Sequence, residues 1–375
     1  MSIDLKQKQN PKPVSLPEDH GPHDNVIEWW YFNGHVTAKD GRRFSFMDCL
    51  FKVDIAKVNI PHFSHNPLRN KFMDGKHVYF AHSVVSDLKE QKNYKEIQDI
   101  SLVSRDSFKK PYLFVNYINP NILHGYVNSV IEEKSPSVFH IKTGNLDLEL
   151  HSKMKPLLEG GHGYVGTVES GSYYYSLTNL HTKGTLCLNG EKIEVEGKAW
   201  MDHQWADATY KKDKWTWFSF QLENGMDIMC VEYDTKIGKD TLVDMLDGDG
   251  KQSQYKKLFL TPGKDVWESE KTKAKYPMSW KIEVPEGDIT ITARSTMSDQ
   301  EMIFGQINYW EGPLEVLAKI GGTAGGKNGG KDGIKEVKGV GFMELVGYPS
   351  DFNYLALVGK DLERSLFKRI FHKKV

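Results

Sequence analysis

The densest chemical constellation in the chain is Trp200-Met201-Asp202-His203-Gln204-Trp205, where carboxyl, imidazole, amide and indole groups follow one another along one short segment. Buried polar groups must be paired, so a strand that ends in this set is ill suited to a plain core. A histidine could relay a proton near neutral pH, a role open to His203, while Asp202 could orient it and Trp205 could offer a π face to a developing cation. A structural histidine hydrogen-bonded at a domain junction fits the same spacing equally well. Glu232 is the second candidate, in Ile228-Met229-Cys230-Val231-Glu232-Tyr233, on the strand face of Ile228 and Cys230. If that face lines an apolar lumen, desolvation raises the carboxyl pKa and leaves a proton donor. With the register inverted, Glu232 is a solvated edge carboxylate.

Other clusters carry less. His20, His23 and His35 lie near Asp24 and Glu28, but the segment continues into the strand-like run Trp29-Trp30-Tyr31-Phe32, without the helical or tight-turn spacing that His and carboxylate zinc sites use. His20 and His23 are read as capping a loop, and no metal is expected. Gly321 to Lys327 nearly satisfies the phosphate-cradling pattern G-x-x-x-x-G-K, yet Asn328 stands where a Ser or Thr is required. There is no G-x-S-x-G elbow and no local cysteine-nucleophile signature, so no cofactor or covalent hydrolase chemistry is expected.

The elements that must position these groups are strands. Leu146, Leu148 and Leu150 alternate with Asp147, Glu149 and His151, as in a peripheral strand with one dry and one wet face. Leu186 to Val195 predicts a hairpin about Asn189-Gly190, a pair suited to the positive φ angles of a type I′ turn. Trp215 to Tyr233, broken at Glu223-Asn224-Gly225, predicts a second hairpin, and Trp280 to Ala293, broken at Pro285-Glu286-Gly287-Asp288, a third. Strand following strand at short spacing argues for antiparallel barrels or sandwiches over a parallel α/β sheet. Nine Trp, 17 Tyr and 18 Phe suit pleated sheet and the walls of apolar pockets alike.

A length of 375 residues favours two domains. Lys and Arg number 49 against 50 Asp and Glu, so no net field draws the chain to nucleic acid or to an anionic membrane. Cys49, Cys187 and Cys230 look like reduced core thiols. Without a signal peptide, a lipidation signal or an apolar run of about 18 residues, a cytoplasmic location is expected. Residues 320–333 form a Gly/Lys loop, and 361–371 predict a basic amphipathic helix, read as docked across a barrel ahead of weak contact with a membrane surface. The expected layout is a flexible segment over 1–19, barrels over 20–205 and 206–358, and a C-terminal helix over 359–375, the boundary falling in the lysine-rich stretch before Trp215.

The run HDNVIEWWYFNGH over 23–35 resembles the opening signature of the carotenoid 1,2-hydratase/AttH lipocalin-like family. So do Tyr173-Tyr174-Tyr175-Ser176-Leu177-Thr178, the Trp200 to Trp205 run with Trp215-Thr216-Trp217-Phe218-Ser219, Tyr309-Trp310-Glu311-Gly312, and Gly339 to Leu345 with Gly347-Tyr348. The resemblance implies an all-β fold of two consecutive antiparallel lipocalin-like barrels holding an apolar, terpenoid or carotenoid-like ligand. It implies alkene hydration, or a shape-directed cyclisation; a non-catalytic carrier is the rival. Counted from His203 and Trp205, Glu232 takes the place of the family's catalytic acid, with Cys230 where a tyrosine is expected. On that basis Glu232 protonates the alkene, Trp205 and Trp217 stabilise the cation, and His203 or Asp202 holds the water. Trp30, Tyr31, Trp215, Trp217 and Cys230 contact the substrate.

Overall fold

The computed structural model describes residues 11–54, 56–57, 76–110, 112–119, 127–166, 171–207, 214–235, 238–304, 307–321 and 334–348. Strands β1 (Ile27–Ala38), β2 (Arg43–Asp54), β3 (His77–Asp87), β4 (Lys92–Val103), β5 (Phe114–Asn119), β6 (Val127–Ser135), β7 (Val138–Lys142) and β8 (Leu146–Ser152) form an antiparallel meander. The short β9 (Leu157–Leu158) and β10 (Tyr164–Val165) lead to the long β11 (Ser172–Leu188) and β12 (Glu191–Ala206). Because β12 pairs with β1 along its length and β11 pairs with β8, the ladder closes into a 10-strand barrel. The second sheet contains β13 (Lys214–Leu222), β14 (Asp227–Thr235), β15 (Gly238–Leu246), β16 (Gln252–Tyr255) and β17 (Phe259–Pro262). Beyond the small ribbon of β18 (Val266–Glu268) and β19 (Lys275–Pro277), it continues with β20 (Ser279–Val284), β21 (Ile289–Ser295), β22 (Glu301–Phe304), β23 (Ile307–Ile320) and β24 (Lys335–Val346). Its order is β16-β15-β14-β13-β24-β23-β21-β20-β17, with β22 beside β23.

The three predicted hairpins form. Asn189 and Gly190 both take positive φ, 51° and 85°, between Leu188 and Glu191, as a type I′ turn requires. The β13–β14 and β20–β21 hairpins turn through Gly225 and through a 3-10 turn at Pro285–Gly287. Two expectations differ. The Leu146–Leu150 strand is not peripheral: β8 lies between β7 and β11 and closes the barrel, its leucines all buried inside. Residues 11–19, expected within a flexible segment, pack instead, with Val14 and Leu16 against the barrel core and a 3-10 turn at Glu18–His20. The Gly/Lys loop from 322, the lysine-rich boundary stretch over 208–213 and the C-terminal helix lie outside the described residues. No helix among those described is long and apolar enough to cross a membrane, and the three cysteines are free thiols.

Most buried apolar side chains among the described residues sort into three large cores, beside a small cluster about Val53 and Phe80. Trp30, Phe32, Phe46, Leu50, Tyr117 and Phe139 fill the barrel, and Phe218, Phe220, Ile228, Cys230, Trp310 and Met343 lie within the second sheet. A third core, including Tyr31, Cys49, Tyr174, Trp200, Trp217 and Phe342, is the seam between the two. Strands bordering the seam are therefore covered on both faces, and every residue of β3 is buried.

Close backbone approach sets the β1–β12 register. A Cβ on Gly197 would stand 2.0 Å from the carbonyl oxygen of His35. Gly197→Ala should therefore destabilise the chain by about 1–3 kcal/mol, read as a lower thermal midpoint; an unchanged melt would mean the pair separates freely at this point.

Candidate active site in the seam between the sheets

Strand alternation divides the six-residue constellation between two places. Met201, His203 and Trp205 point into the barrel, whereas Trp200, Asp202 and Gln204 point out of it, Trp200 and Asp202 into the seam. Asp202 therefore does not orient His203, as the sequence had led us to expect; Glu28 does, its Oε1 lying 3.0 Å from His203 Nε2.

On the barrel side of the seam the register places Cys49, Tyr31, Asp202 and Ser176 in one row across β2, β1, β12 and β11. Facing it, Val231, Trp217, Glu344 and Glu311 form a row across β14, β13, β24 and β23. The rows are tied together: the Tyr31 hydroxyl donates to Glu311, and Trp217 Nε1 donates to the Tyr174 hydroxyl at 3.1 Å. Asp202 accepts from Tyr174 OH, Ser176 Oγ and Trp200 Nε1, each at 2.6 Å. Trp215 Nε1 donates to Glu344 Oε2 at 2.8 Å, and Asn33 Nδ2 to the Tyr31 hydroxyl at 2.8 Å.

These partners are hydroxyls, amides and indoles, so the carboxyls are buried without a cation to hold their charge. Burial pushes Asp202 up to about 6, against the hydrogen bonds that favour its anion. Burial pushes Glu344 up to about 7, opposed by Trp215 and reinforced by Asp202. Glu311 is driven well above the carboxylate range by burial and by the neighbouring Glu344. Asp202 and Glu311 are buried, while Glu344 and Trp215 are only half-buried. The seam thus holds Glu311 toward its acid form and brings the titrations of Asp202 and Glu344 close to neutral pH, a requirement for general acid–base work.

Inside the barrel, acid is handled the other way. Glu28 accepts from His203 and from His23 Nδ1 at 2.8 Å, and from the Lys52 ammonium at 2.9 Å. Burial works to raise Glu28, but the bonds from His203 and His23 and the Lys52 charge prevail and hold it at about 2. His20, Tyr175 and His203 continue the chain, with His20 Nδ1 2.5 Å from the Tyr175 hydroxyl and that hydroxyl 3.2 Å from His203 Nδ1. His23 stacks flat on Trp205, centroids 3.8 Å apart. His20 and His23, expected to cap a loop, are thus built into the end of the barrel. His23, Glu28 and His203 bring three metal-ligand atoms within 4.8 Å of one another, but the Lys52 ammonium already supplies the cation that Glu28 needs.

The remaining predicted residues fall elsewhere. Trp30 packs in the barrel on His203, centroids 5.0 Å apart. His35 faces the second sheet and bonds to the Gly341 carbonyl, and Asp24 is exposed, paired with Lys76. Glu232 shares the face of Ile228 and Cys230, as read, but it lies toward the strand end, half-buried and 2.7 Å from the exposed Lys239 ammonium. The desolvated lumen that was to make it an acid is not there. Cys230 is wholly buried in the second core. Of the predicted site, Asp202, Tyr31, Trp215 and Trp217 meet at the seam; His203, Trp205 and Trp30 meet in the barrel; Glu232 and Cys230 are apart from both. Tyr174, Ser176, Glu311 and Glu344 were not picked out for chemistry, although each stands in a motif used for the resemblance. An acid in mid-strand, on the face opposite the core aromatics, was the available signal.

A closed antiparallel barrel joined to a second sheet across a carboxyl-bearing seam defines a lipocalin-like two-sheet protein. A family model for AttH-like proteins matches residues 7–348, and the chain belongs to that family. The dehydratase asqC of Emericella nidulans is 24% identical over 185 residues, 47% of this chain and 51% of that protein, so the chain spans about half the length of this curated relative. An AttH-assigned protein from Nitrosomonas europaea superposes with a TM-score of 0.70 at 22% identity, covering 92% of this chain and 100% of that one. Kievitone hydratase from Nectria haematococca follows with a TM-score of 0.62 at 17% identity, covering 91% and 95%. These structures share the fold.

Two outcomes test the electrostatics. Lys52→Met, which strands the Glu28 anion in the barrel, should cost about 3–5 kcal/mol in chemical denaturation; a loss under about 1 kcal/mol would show that Glu28 is not held as an anion. A carboxyl whose folded pKa is raised contributes stability below its ordinary pKa and loses it as pH climbs through the folded value. For Glu344 the interval runs from 4.5 to about 7. The melting temperature of Glu344→Gln relative to the parent should therefore rise as pH is taken from about 5 to about 8, and a difference constant with pH would contradict the assignment.

Proposed function

We propose that this chain is a hydro-lyase-type enzyme that adds water to, or removes it from, an apolar small molecule at the seam, with Glu344 as the proton donor. The observation that carries the reading is the set of Asp202, Glu311 and Glu344, buried or half-buried among hydroxyl and indole donors. A carboxyl so placed can hand a proton to an alkene carbon or to a departing hydroxyl. Glu344 has one oxygen engaged by Trp215 and keeps partial exposure, through which a ligand would reach it. Asp202, the more acidic of the pair, is the base that takes a proton from the attacking water, and the indoles of Trp215 and Trp217 face the developing cation. Tyr31 and Glu311 brace the two rows. The names dehydratase and hydratase among the relatives support the reaction class. The proposed substrate is terpenoid or carotenoid-like, bearing an isolated alkene or a tertiary alcohol.

A panel of such compounds, followed by mass spectrometry for gain or loss of water, tests the proposal. Glu344→Gln should lower turnover by about 10²–10⁴ with ligand affinity little changed, and Glu232→Gln should leave turnover nearly intact. Activity lost in Glu232→Gln and kept in Glu344→Gln would return the acid to Glu232. Binding without turnover by the parent chain would make it a carrier.

A further inference from the structure

Counting hydrogens at Ser176 decides which way the Glu159 proton points, toward Ser176 or toward the neighbouring Asp244 carboxyl. Its Oγ lies 2.7 Å from Glu159 Oε1 and 2.6 Å from Asp202 Oδ1. A hydroxyl has one hydrogen and can donate to only one of these oxygens. The other contact needs a hydrogen from a carboxyl, because two lone-pair oxygens do not bond. Asp202 already accepts from Trp200 Nε1 on Oδ1 and from Tyr174 OH on Oδ2, and the Tyr174 oxygen in turn accepts from Trp217. Its surroundings are those of an anion. Glu159 is fully buried, its Oε2 meets no hydrogen-bond donor among the described residues, and the Asp244 carboxyl beside it is the other acceptor open to a Glu159 proton.

We infer that Glu159 is a carboxylic acid that donates from Oε1 to Ser176, and that Ser176 consequently donates to Asp202. Glu159 is thus a positioning residue: its proton fixes the direction of the Ser176 hydroxyl and keeps Asp202 in the base form. Geometry and electrostatics rank the two acids alike. Burial, with Asp244 and Asp202 adding to it, pushes Glu159 far above the carboxylate range, whereas Asp202 rises only to about 6. The local fold makes the arrangement. Glu159 begins the 3-10 turn Glu159–Gly161, whose Gly160 N–H donates to Asp244 Oδ2 at 2.8 Å. This turn from the barrel thereby reaches the second sheet while its first side chain points back at β11. The location of the proton stands on this geometry; its service to Asp202 as a base rests on the reading of the seam as a hydro-lyase site.

Infrared difference spectroscopy of the full chain at neutral pH tests it without substrate. Glu159→Gln, isosteric with the acid, should remove one carbonyl band of a protonated carboxyl, a band that moves down on transfer to D₂O. Loss of a carboxylate band instead would overturn the inference. Ser176→Ala provides a second reading if the first variant does not fold: the same acid band should move to higher frequency as its acceptor disappears, and an unmoved band would also overturn it. With a substrate in hand, Ser176→Ala should move the acid limb of the kcat profile up by about one pH unit, since Asp202 loses a donor to its anion, while KM stays the same. A correct infrared result with an unmoved profile would uphold the proton on Glu159 and refute the role of Asp202.

Discussion

Successive side chains of a strand leave on opposite faces, and over Trp30–Gly34 of β1 and Ala199–Ala206 of β12 both faces are buried. This constraint organises the molecule. β1 sends Glu28, Trp30 and Phe32 into the barrel and Tyr31 and Asn33 into the seam. β12 does the same with His203 and Asp202, which adjoin along the chain yet belong to different polar networks on either side of one sheet. A slip of one residue in the β1–β12 register would exchange the two sets, placing Glu28 in the seam without its lysine and Tyr31 in the barrel without its glutamate. The glycine contacts that hold the two backbones close therefore guard the chemistry as well as the fold.

The two networks solve the same problem by opposite means. An ionised carboxylate taken out of water incurs a large desolvation cost unless it is paired, or unless it keeps its proton. Glu28 is paired, through Lys52 and two histidines, and remains an anion. Glu311 and Glu344 meet neutral donors and rise toward the protonated form. Asp202 lies between these limits, with three donors and no cation. Such a gradation within one seam sets neighbouring carboxyls at different proton affinities, each following from the donors its strand neighbours supply.

Much of the architecture was legible in the chain. Period-two alternation and the Asn189-Gly190 pair are local properties, and the hairpins they predict form at the expected residues. The motifs that resemble the family likewise lie where the two sheets meet or where the barrel closes. The site was legible only in part. Asp202, Tyr31, Trp215 and Trp217 were singled out and do converge, but Asp202 was grouped with His203 because nearness in sequence was read as nearness in space. Along a strand, adjacent residues are the pair least able to cooperate. Glu232 was judged by the face it shares with Ile228 and Cys230, and that face is apolar in mid-strand; toward the strand end the same face opens to solvent and to Lys239. Glu311 and Glu344 were passed over because an acid in a strand is ordinarily solvated, and only the packing of the other sheet removes the water.

By itself, then, the sequence determined the strand periodicity, the turns, the all-β class and the membership of a family, because each of these is encoded in short-range pattern or in motif order. The tertiary structure decided which acids meet which donors. Glu28 and His203 lie 175 residues apart, and Tyr31 and Glu311 lie 280 apart. Whether a carboxyl at such a junction is an anion or an acid depends on solvent excluded by a different sheet, a quantity that no local pattern contains.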